Sequence, residues 1–248
     1  RAPHTGHMIA LGDEMHLLGA LTAEDGIIDI KNVGLTTVDS DSIIKALKVY
    51  HDDIFSTDET TTFEHDITIS GDEIYSFGNV KGKNTTITGI IHLMDDVAFL
   101  AINGDLEIGV DDYLSTISGS HDLKLKGDNV TVNGSVSVGS LAVDSKGNVE
   151  MGTKYASLVT DREIEVRALG DITMASYTIA GGDILVSGKS VKLGETTSIT
   201  GDITVQSDSN LTVDRLVTAK RGSVTMDAKG DLSIDTTVDA YRDIFLSG

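Results

Sequence analysis

The sequence predicts an all-β chain, a parallel β-solenoid (β-helix) with three short strands per coil of about twenty residues. Apolar and polar residues alternate in short runs, Gly, Asp, Asn and Ser punctuate them, and the runs recur at a nearly constant spacing. Alternation over a few residues between turn formers marks a half-buried strand. A fixed period of this length marks stacked units that cannot each enclose a core.

The repeat is clearest over residues 170–248, which read GDITM, GDILV, KSVKL, GDITV, SNLTV, GSVTM, GDLSI and RDIFL in succession. One series of apolar pairs is Ile164/Val166, Ile184/Val186, Ile203/Val205, Val224/Met226 and Ile244/Leu246, spaced by 20, 19, 21 and 20 residues. A second is Ile172/Met174, Val191/Leu193, Leu211/Val213 and Leu232/Ile234, spaced by 19, 20 and 21. A third and weaker series is Val159, Ile179, Ile199, Val217 and Val238. Stacking would place Ile184, Ile203 and Val224 in one internal column, with equivalent strands paired in parallel at about 4.8 Å per coil. Gly and Asp ahead of the strands suit turns, Gly by accepting positive φ and Asp by bonding nearby backbone amides. A β-sandwich also has many short strands, but it does not require a three-strand period held over five coils.

Residues 1–60 are the least regular. Ile27–Ile30 and Leu35–Val38 read as strands. The stretch 42–50 (SIIKALKVY) is open to two readings. Ile43, Ile44, Leu47 and Tyr50 would share one face of a short helix capped by Asp39, Ser40 or Asp41, while a solenoid context would impose a strand. From Phe63 the alternation returns, with core pairs expected at Ile67/Ile69, Phe99/Ala101, Leu106/Ile108, Leu123/Leu125, Val130/Val132, Val136/Val138, Leu141/Val143 and Val149/Met151. Residues 152–162 read as a longer connection leaving the coil. The one proline is Pro3 and no Pro- or Ser-rich linker divides the chain, so 1–248 is expected to be one continuous solenoid. Residues 1–8 lack the apolar run of a signal peptide, and the whole reads as a piece of a longer chain.

With 19 basic and 39 acidic residues the formal net charge is −20. That disfavours nucleic acid and anionic membrane surfaces as partners. Without cysteine there is no disulfide framework and no thiolate metal site. No run of eighteen apolar residues exists, so no transmembrane helix is expected.

The units GDILVSG, GDITVQS, SNLTVDR, GSVTMDAKGDLSIDT and RDIFLSG resemble the repeats of filamentous-haemagglutinin-type exoproteins, the secreted partners of two-partner secretion systems in Gram-negative bacteria. The likeness is clear over residues 170–248 and fainter back to Leu106. The family's amino-terminal secretion domain is not among these residues. The resemblance implies a right-handed parallel β-helix shaft, secreted through an outer-membrane β-barrel transporter to the cell surface. It further implies a role in adhesion, aggregation or delivery of a distal toxin, with a host or neighbouring cell, a glycan or a protein as partner. Separately, unpaired edge strands at the ends of such a solenoid predict lateral or end-to-end self-association.

Candidate chemistry is sparse. Aspartates pair at Asp52/Asp53, Asp95/Asp96 and Asp111/Asp112, with Asp39 and Asp41 close by, and oxygen-rich loops can bind calcium. The calcium nonapeptide pattern is not met, however, and solvated turns are the simpler reading. His51-Asp52, His65-Asp66 and His121-Asp122 would lie on different coils, and adjacency alone makes no metal or general-base site. A β-helical polysaccharide lyase or hydrolase would gather carboxylates on one outer face. The outward columns expected here are Glu165, Leu185, Thr204, Thr225 and Phe245 on one face, and Thr173, Lys192, Thr212 and Ser233 on another. Neither concentrates acids, and Glu163, Glu165 and Arg167 read as a surface charge ladder. The chain has no Trp and 4% aromatics, little for a sugar platform. Thr86-Ile-Thr88 fits an ice-binding array only as an isolated match, not as part of a regular one. Sequons at Asn84, Asn129, Asn133 and Asn210 are matches that a chain rich in Asn, Ser and Thr produces by chance. Leu185 and Phe245 would be outward apolar residues, from a lateral contact patch or a miscounted register. No catalytic, cofactor or metal residue is assigned, and a viral tail-fibre shaft is a third reading.

Overall fold

A computed structural model describes residues 7–9, 12–17, 19–30, 33–38, 42–55, 65–109, 115–152 and 156–248. These form 31 strands and no helix. The strands wind into a parallel solenoid of about 10 turns of roughly 21 residues. Each coil has three faces. In one coil these are Ile184–Gly188 on face I, Val191–Leu193 on face II and Glu195–Ser198 on face III. Face I is a ladder of twelve strands, and faces II and III join into one sheet of nineteen.

The joining happens in the first half of the chain. There Ala20–Ile30, Ser42–His51, Ile67–Ser76 and Thr85–Leu93 each cover both faces, with register shifts at Ala23/Ile27 and Ser70/Glu73 marking the bend. A bulge bends a strand without ending it. Gly89 takes φ +144° at this bend, and a Cβ there would overlap the Gly71 carbonyl. Thr85–Leu93 pairs onward with two separate strands, Leu106–Ile108 and Ser115–Ser118, and beyond it the bend is a true corner.

Expected core pairs face inward. Ile184, Ile203 and Val224 are adjacent rungs, each at most 1% exposed. The pairs from Ile67/Ile69 to Val149/Met151 are buried as well. β-Branched side chains fill these columns because each lies flat against its copy one coil away. A column of small residues closes each face I strand: Gly127, Ser145 and Ala168 are successive rungs, and so are Gly188, Ser207 and Ala228. The next corner is tight, and a Cβ on Gly188 would come within 2.7 Å of the Ile172 side chain.

One open reading is decided and two expectations are corrected. Residues 42–50 are strand: Ile44 is buried and Ile43 is 48% exposed, so the two neighbours point to opposite sides as a pleat requires. The proposed caps Asp39, Ser40 and Asp41 lie outside the described residues. The span 152–162, expected as a longer connection, holds the face III strand Ser157–Thr160 with Leu158 buried, and residues 153–155 lie outside the described residues. The third apolar series mixes the two sides of face III. Its inward rungs are Leu158, Thr178, Thr196 and Val217, while Val159 and Ile179 point outward and Ile199 lies beyond the strand. The interior of face III carries hydroxyls in several coils, Ser76, Ser115, Thr160, Thr178, Thr196 and Ser198 among them, and one residue of slip exchanges inside for outside.

The acidic and amide turn residues do more than shape their own turns. Ahead of face II, Asp66, Asn84, Asp105, Asn129, Asn148 and Asp171 occupy one corner in six successive coils. In the first five, the side-chain Oδ1 accepts the backbone N–H of the residue one coil further on, at 3.2, 2.8, 3.1, 2.9 and 2.9 Å. Asn84 and Asn129 also donate Nδ2–H to Asp66 and Asp105, at 2.8 and 2.9 Å. An amide standing on each carboxylate keeps two like charges from stacking at the coil spacing. A shorter ladder ahead of face I runs Asp183, Asp202, Ser223 and Asp243. At the corner that follows face I, the buried Ser145 and Ser207 hydroxyls are each placed between a turn carbonyl of the preceding coil and the carbonyl three residues on.

Asn129→Asp keeps the acceptor for Asn148 but loses the donor to Asp105 and sets two carboxylates together, so it should destabilise by about 1–2 kcal/mol. Urea midpoints should show that loss at pH 7, and the loss should shrink as the carboxylates protonate. Thr178 is fully buried and its Oγ1 has no hydrogen-bond partner. Thr178→Val should therefore raise the urea midpoint, by about 1–2 kcal/mol of stability.

Candidate functional surfaces

Buried titratable groups come first, because burial is how a fold tunes chemistry. His51 is fully buried on the inner side of face III, on the rung between Ile30 and Ser76. Its Nδ1 lies 2.8 Å from the Asp52 carbonyl and its Nε2 lies 2.8 Å from Ser76 Oγ. With the proton on Nδ1, that nitrogen donates to the carbonyl and Nε2 accepts the Ser76 hydroxyl. Both nitrogens are used with the ring neutral. Burial pushes the imidazole down to about 4, against a smaller upward pull from the Asp52 carbonyl. His51 therefore fills the core in its neutral form. His65 and His121 sit at outer corners on other coils, and His4 lies outside the described residues.

A stacked aromatic column stands on the outside of the same face. Tyr50 and Tyr75 have ring centroids 4.6 Å apart, and Tyr75 and His92 4.8 Å apart. Beside it Lys48 forms an ion pair with Glu73, which also accepts the Tyr75 hydroxyl at 3.0 Å. The hydrogen bond from Lys48 holds the Glu73 carboxyl below its usual range, and Glu73 in turn raises Lys48 and Tyr75. Tyr75 is stacked on both sides, so the column presents ring edges along the shaft, where a sugar platform needs an open ring face.

Among the described residues, one group of metal-competent side chains converges: Asp95, Asp96 and His121, at an exposed corner. Asp95 Oδ1 accepts the Asp96 amide at 2.7 Å, Asp96 Oδ1 accepts the Asp122 amide at 2.8 Å, and His121 Nδ1 lies 3.6 Å from Asp96. Asp122 is paired with Arg162. These contacts make the cluster another inter-coil corner. Asp53 of the Asp52/Asp53 pair accepts the Asn79 amide in the same way. Asp111/Asp112 and Asp39/Asp41 lie outside the described residues.

The outer columns expected from sequence are in place. Glu165, Leu185, Thr204, Thr225 and Phe245 are successive rungs of face I. Thr173, Lys192, Thr212 and Ser233 are successive rungs of face II. Leu185 is thus outward by register and not by miscount. Arg167 pairs with Glu165 at 2.5 Å, and Lys126 with Asp144 at 3.0 Å, as a surface charge ladder does. Thr86 and Thr88 have Thr68 and Ser70 on the coil before and Glu107 on the coil after, which ends any regular hydroxyl array. An open groove of about 280 Å³ follows face II, lined by Thr173, Met174, Ser176, Lys192, Asp214 and Arg215 among others. Lys192 and Asp214 are paired there at 2.7 Å. With Asp214 its one carboxylate, the groove lacks the acid–base pair of a glycosidase.

Face III differs from the other two. One outer column runs Ile90, Thr116, Ser135, Ser157, Tyr177 and Glu195, and Leu216 follows. The other runs His92, Ser118, Ser137, Val159, Ile179, Thr197 and Thr218. The sequons, too, have structural employment. Asn84, Asn129 and Asn210 are ladder members, and Asn133 is buried with Nδ2 donating to the Gly109 carbonyl.

His51 gives the stability a pH dependence of known sign. Between pH 6.5 and about 4 the unfolded chain binds a proton that the folded imidazole refuses. Its stabilising effect is complete above pH 6.5 and is lost as pH falls through that window, by roughly 2–3 kcal/mol at pH 4.5. Urea midpoints across pH 7.5–4.5 should fall more steeply for the parent than for His51→Gln, whose amide keeps a donor and an acceptor without titrating. Comparison with protein-family models, with curated proteins and with solved structures gives no match to this chain.

Proposed function

We propose that this chain is a stiff shaft segment of a large secreted, cell-surface exoprotein of the filamentous-haemagglutinin type, serving adhesion or aggregation. The observation that carries this reading is the twelve-strand ladder of face I, which runs in parallel register from Gly12 to Ser247. A solenoid so built resists bending along its axis, which is what holding a binding tip away from a cell requires. The repeat units quoted above support the family. A chain without cysteines whose coils add one at a time suits export unfolded, here through an outer-membrane β-barrel transporter of a Gram-negative bacterium. The outer columns on faces I and II offer no paired acids to a sugar chain, which weighs against the lyase or hydrolase alternative.

One experiment on the purified chain separates the readings. It should be incubated with a panel of acidic and neutral polysaccharides, and both product release and retention on immobilised glycans and cells should be followed. Saturable binding without turnover is expected. Turnover would put a β-helical polysaccharide-degrading enzyme in place of the adhesin, and a trimer by light scattering would favour a tail-fibre shaft.

A further inference from the structure

We propose that face III, from the coil of Ile90 to that of Leu216, is a lateral contact surface on which a second copy of this chain packs. The occupant follows from charge. The chain carries a formal net charge of −20, so two copies side by side repel over most of their surfaces. Face I presents Lys126, Asp144, Glu165 and Arg167 outward, and face II presents Glu107, Glu150 and Lys192. Over seven coils of face III, Glu195 is the one formally charged residue among the described outward positions. The remainder are hydroxyls, apolar side chains and His92.

Exposed apolar side chains gather at the same place. Among the described residues outside the last coil, the large exposed hydrophobics are Ile43, Ile90, Met94, Leu169, Tyr177, Ile199 and Leu216. Five of these, all but Ile43 and Leu169, lie on face III or at its rim. Charged corner residues such as Asp95, Arg162 and Arg215 border it. A centre depleted of charge inside a charged rim is the composition of a protein–protein contact. Uncharged hydroxyls can exchange water for a facing hydroxyl at little cost, whereas stripping water from unpaired carboxylates is expensive.

The face is flat and narrow. Seven rungs at about 4.8 Å by four residues at about 3.3 Å give roughly 450 Å² per partner. That is about half of what a stable pair buries, so one segment forms a reversible dimer. This inference deepens the aggregative part of the proposed function by naming the partner, and its failure would leave glycan or cell binding untouched.

Sedimentation velocity of this chain from 5 to 200 μM, in low and in high salt, tests it. A concentration-dependent dimer is expected that tightens several-fold from 20 to 500 mM salt, because screening relieves the repulsion but spares an uncharged contact. Ser137→Glu and Thr116→Glu, each at an exposed hydroxyl with uncharged neighbours on the adjoining rungs, should each weaken the dimer at least tenfold while leaving far-ultraviolet circular dichroism unchanged. Leu185→Glu on face I should leave it intact. A monomer at every concentration and salt would overturn the proposal. So would a dimer that resists both face III changes, or one that Phe245→Glu on the last coil breaks instead, which would mean end-to-end stacking.

Discussion

Register between coils is the constraint on which everything else in this molecule depends. Each inward side chain rests on a counterpart about twenty residues away, and each backbone amide on a face reaches the next coil. No coil has a core of its own, so one residue of slip would turn a whole column of Ile and Val outward. Register is held in three ways at once: by the apolar columns within, by the small-residue column at the tight corner after face I, and by the Asp/Asn side chains that bond the coil above. The last are polar and partly exposed, yet they work as clamps, since an oxygen that accepts the next coil's amide fixes both height and phase.

How far the sequence reveals this depends on which device is read. The apolar columns of faces I and II are legible because Ile, Val and Leu recur two apart at a steady spacing. Face III is not, because Thr178 and Thr196 stand inside where an apolar residue was expected and Ile179 stands outside. Residues 42–50 misled for the opposite reason: Ile43 and Ile44 are adjacent and apolar, so a pleat with one of them in solvent looked like one side of a helix. The corner ladders were hidden because Asp and Asn before a strand look the same whether they bond their own turn or the next coil. Only their recurrence at one corner, coil after coil, distinguishes the two. For His51 the sequence shows only its adjacency to Asp52. Its partners are the Asp52 carbonyl and Ser76, the latter a whole coil away, and nothing local announces either.

The charged groups divide along the same lines. Many of the described acids lie at corners, as ladder members such as Asp66, Asp105 and Asp183 or as partners of Lys and Arg such as Asp122, Asp128 and Asp214, and the faces between them differ sharply in what they present. Among the described residues, the outer columns of faces I and II carry mixed charge and no convergent acid pair. From the coil of Ile90 to that of Leu216, face III carries hydroxyls and exposed apolar residues, with Glu195 its one formal charge. The strong net charge and this quiet face are complementary: the first keeps copies apart in most orientations, and the second leaves one orientation open. A shaft built so can associate side by side in a preferred way while remaining dispersed.

The corner between faces II and III has a consequence of a different kind. In one coil a single residue, Asn133, joins Val130–Val132 to Gly134–Val138, whereas in the coil before it the ends of the two strands, Ile108 and Ser115, lie seven positions apart in sequence. The strands on either side keep their pairing across both lengths. This edge therefore lets the chain lengthen without disturbing its interior. It is where a lineage could acquire decorations cheaply, and where an engineer could graft a foreign peptide and repeat it along the rod at intervals set by the coil.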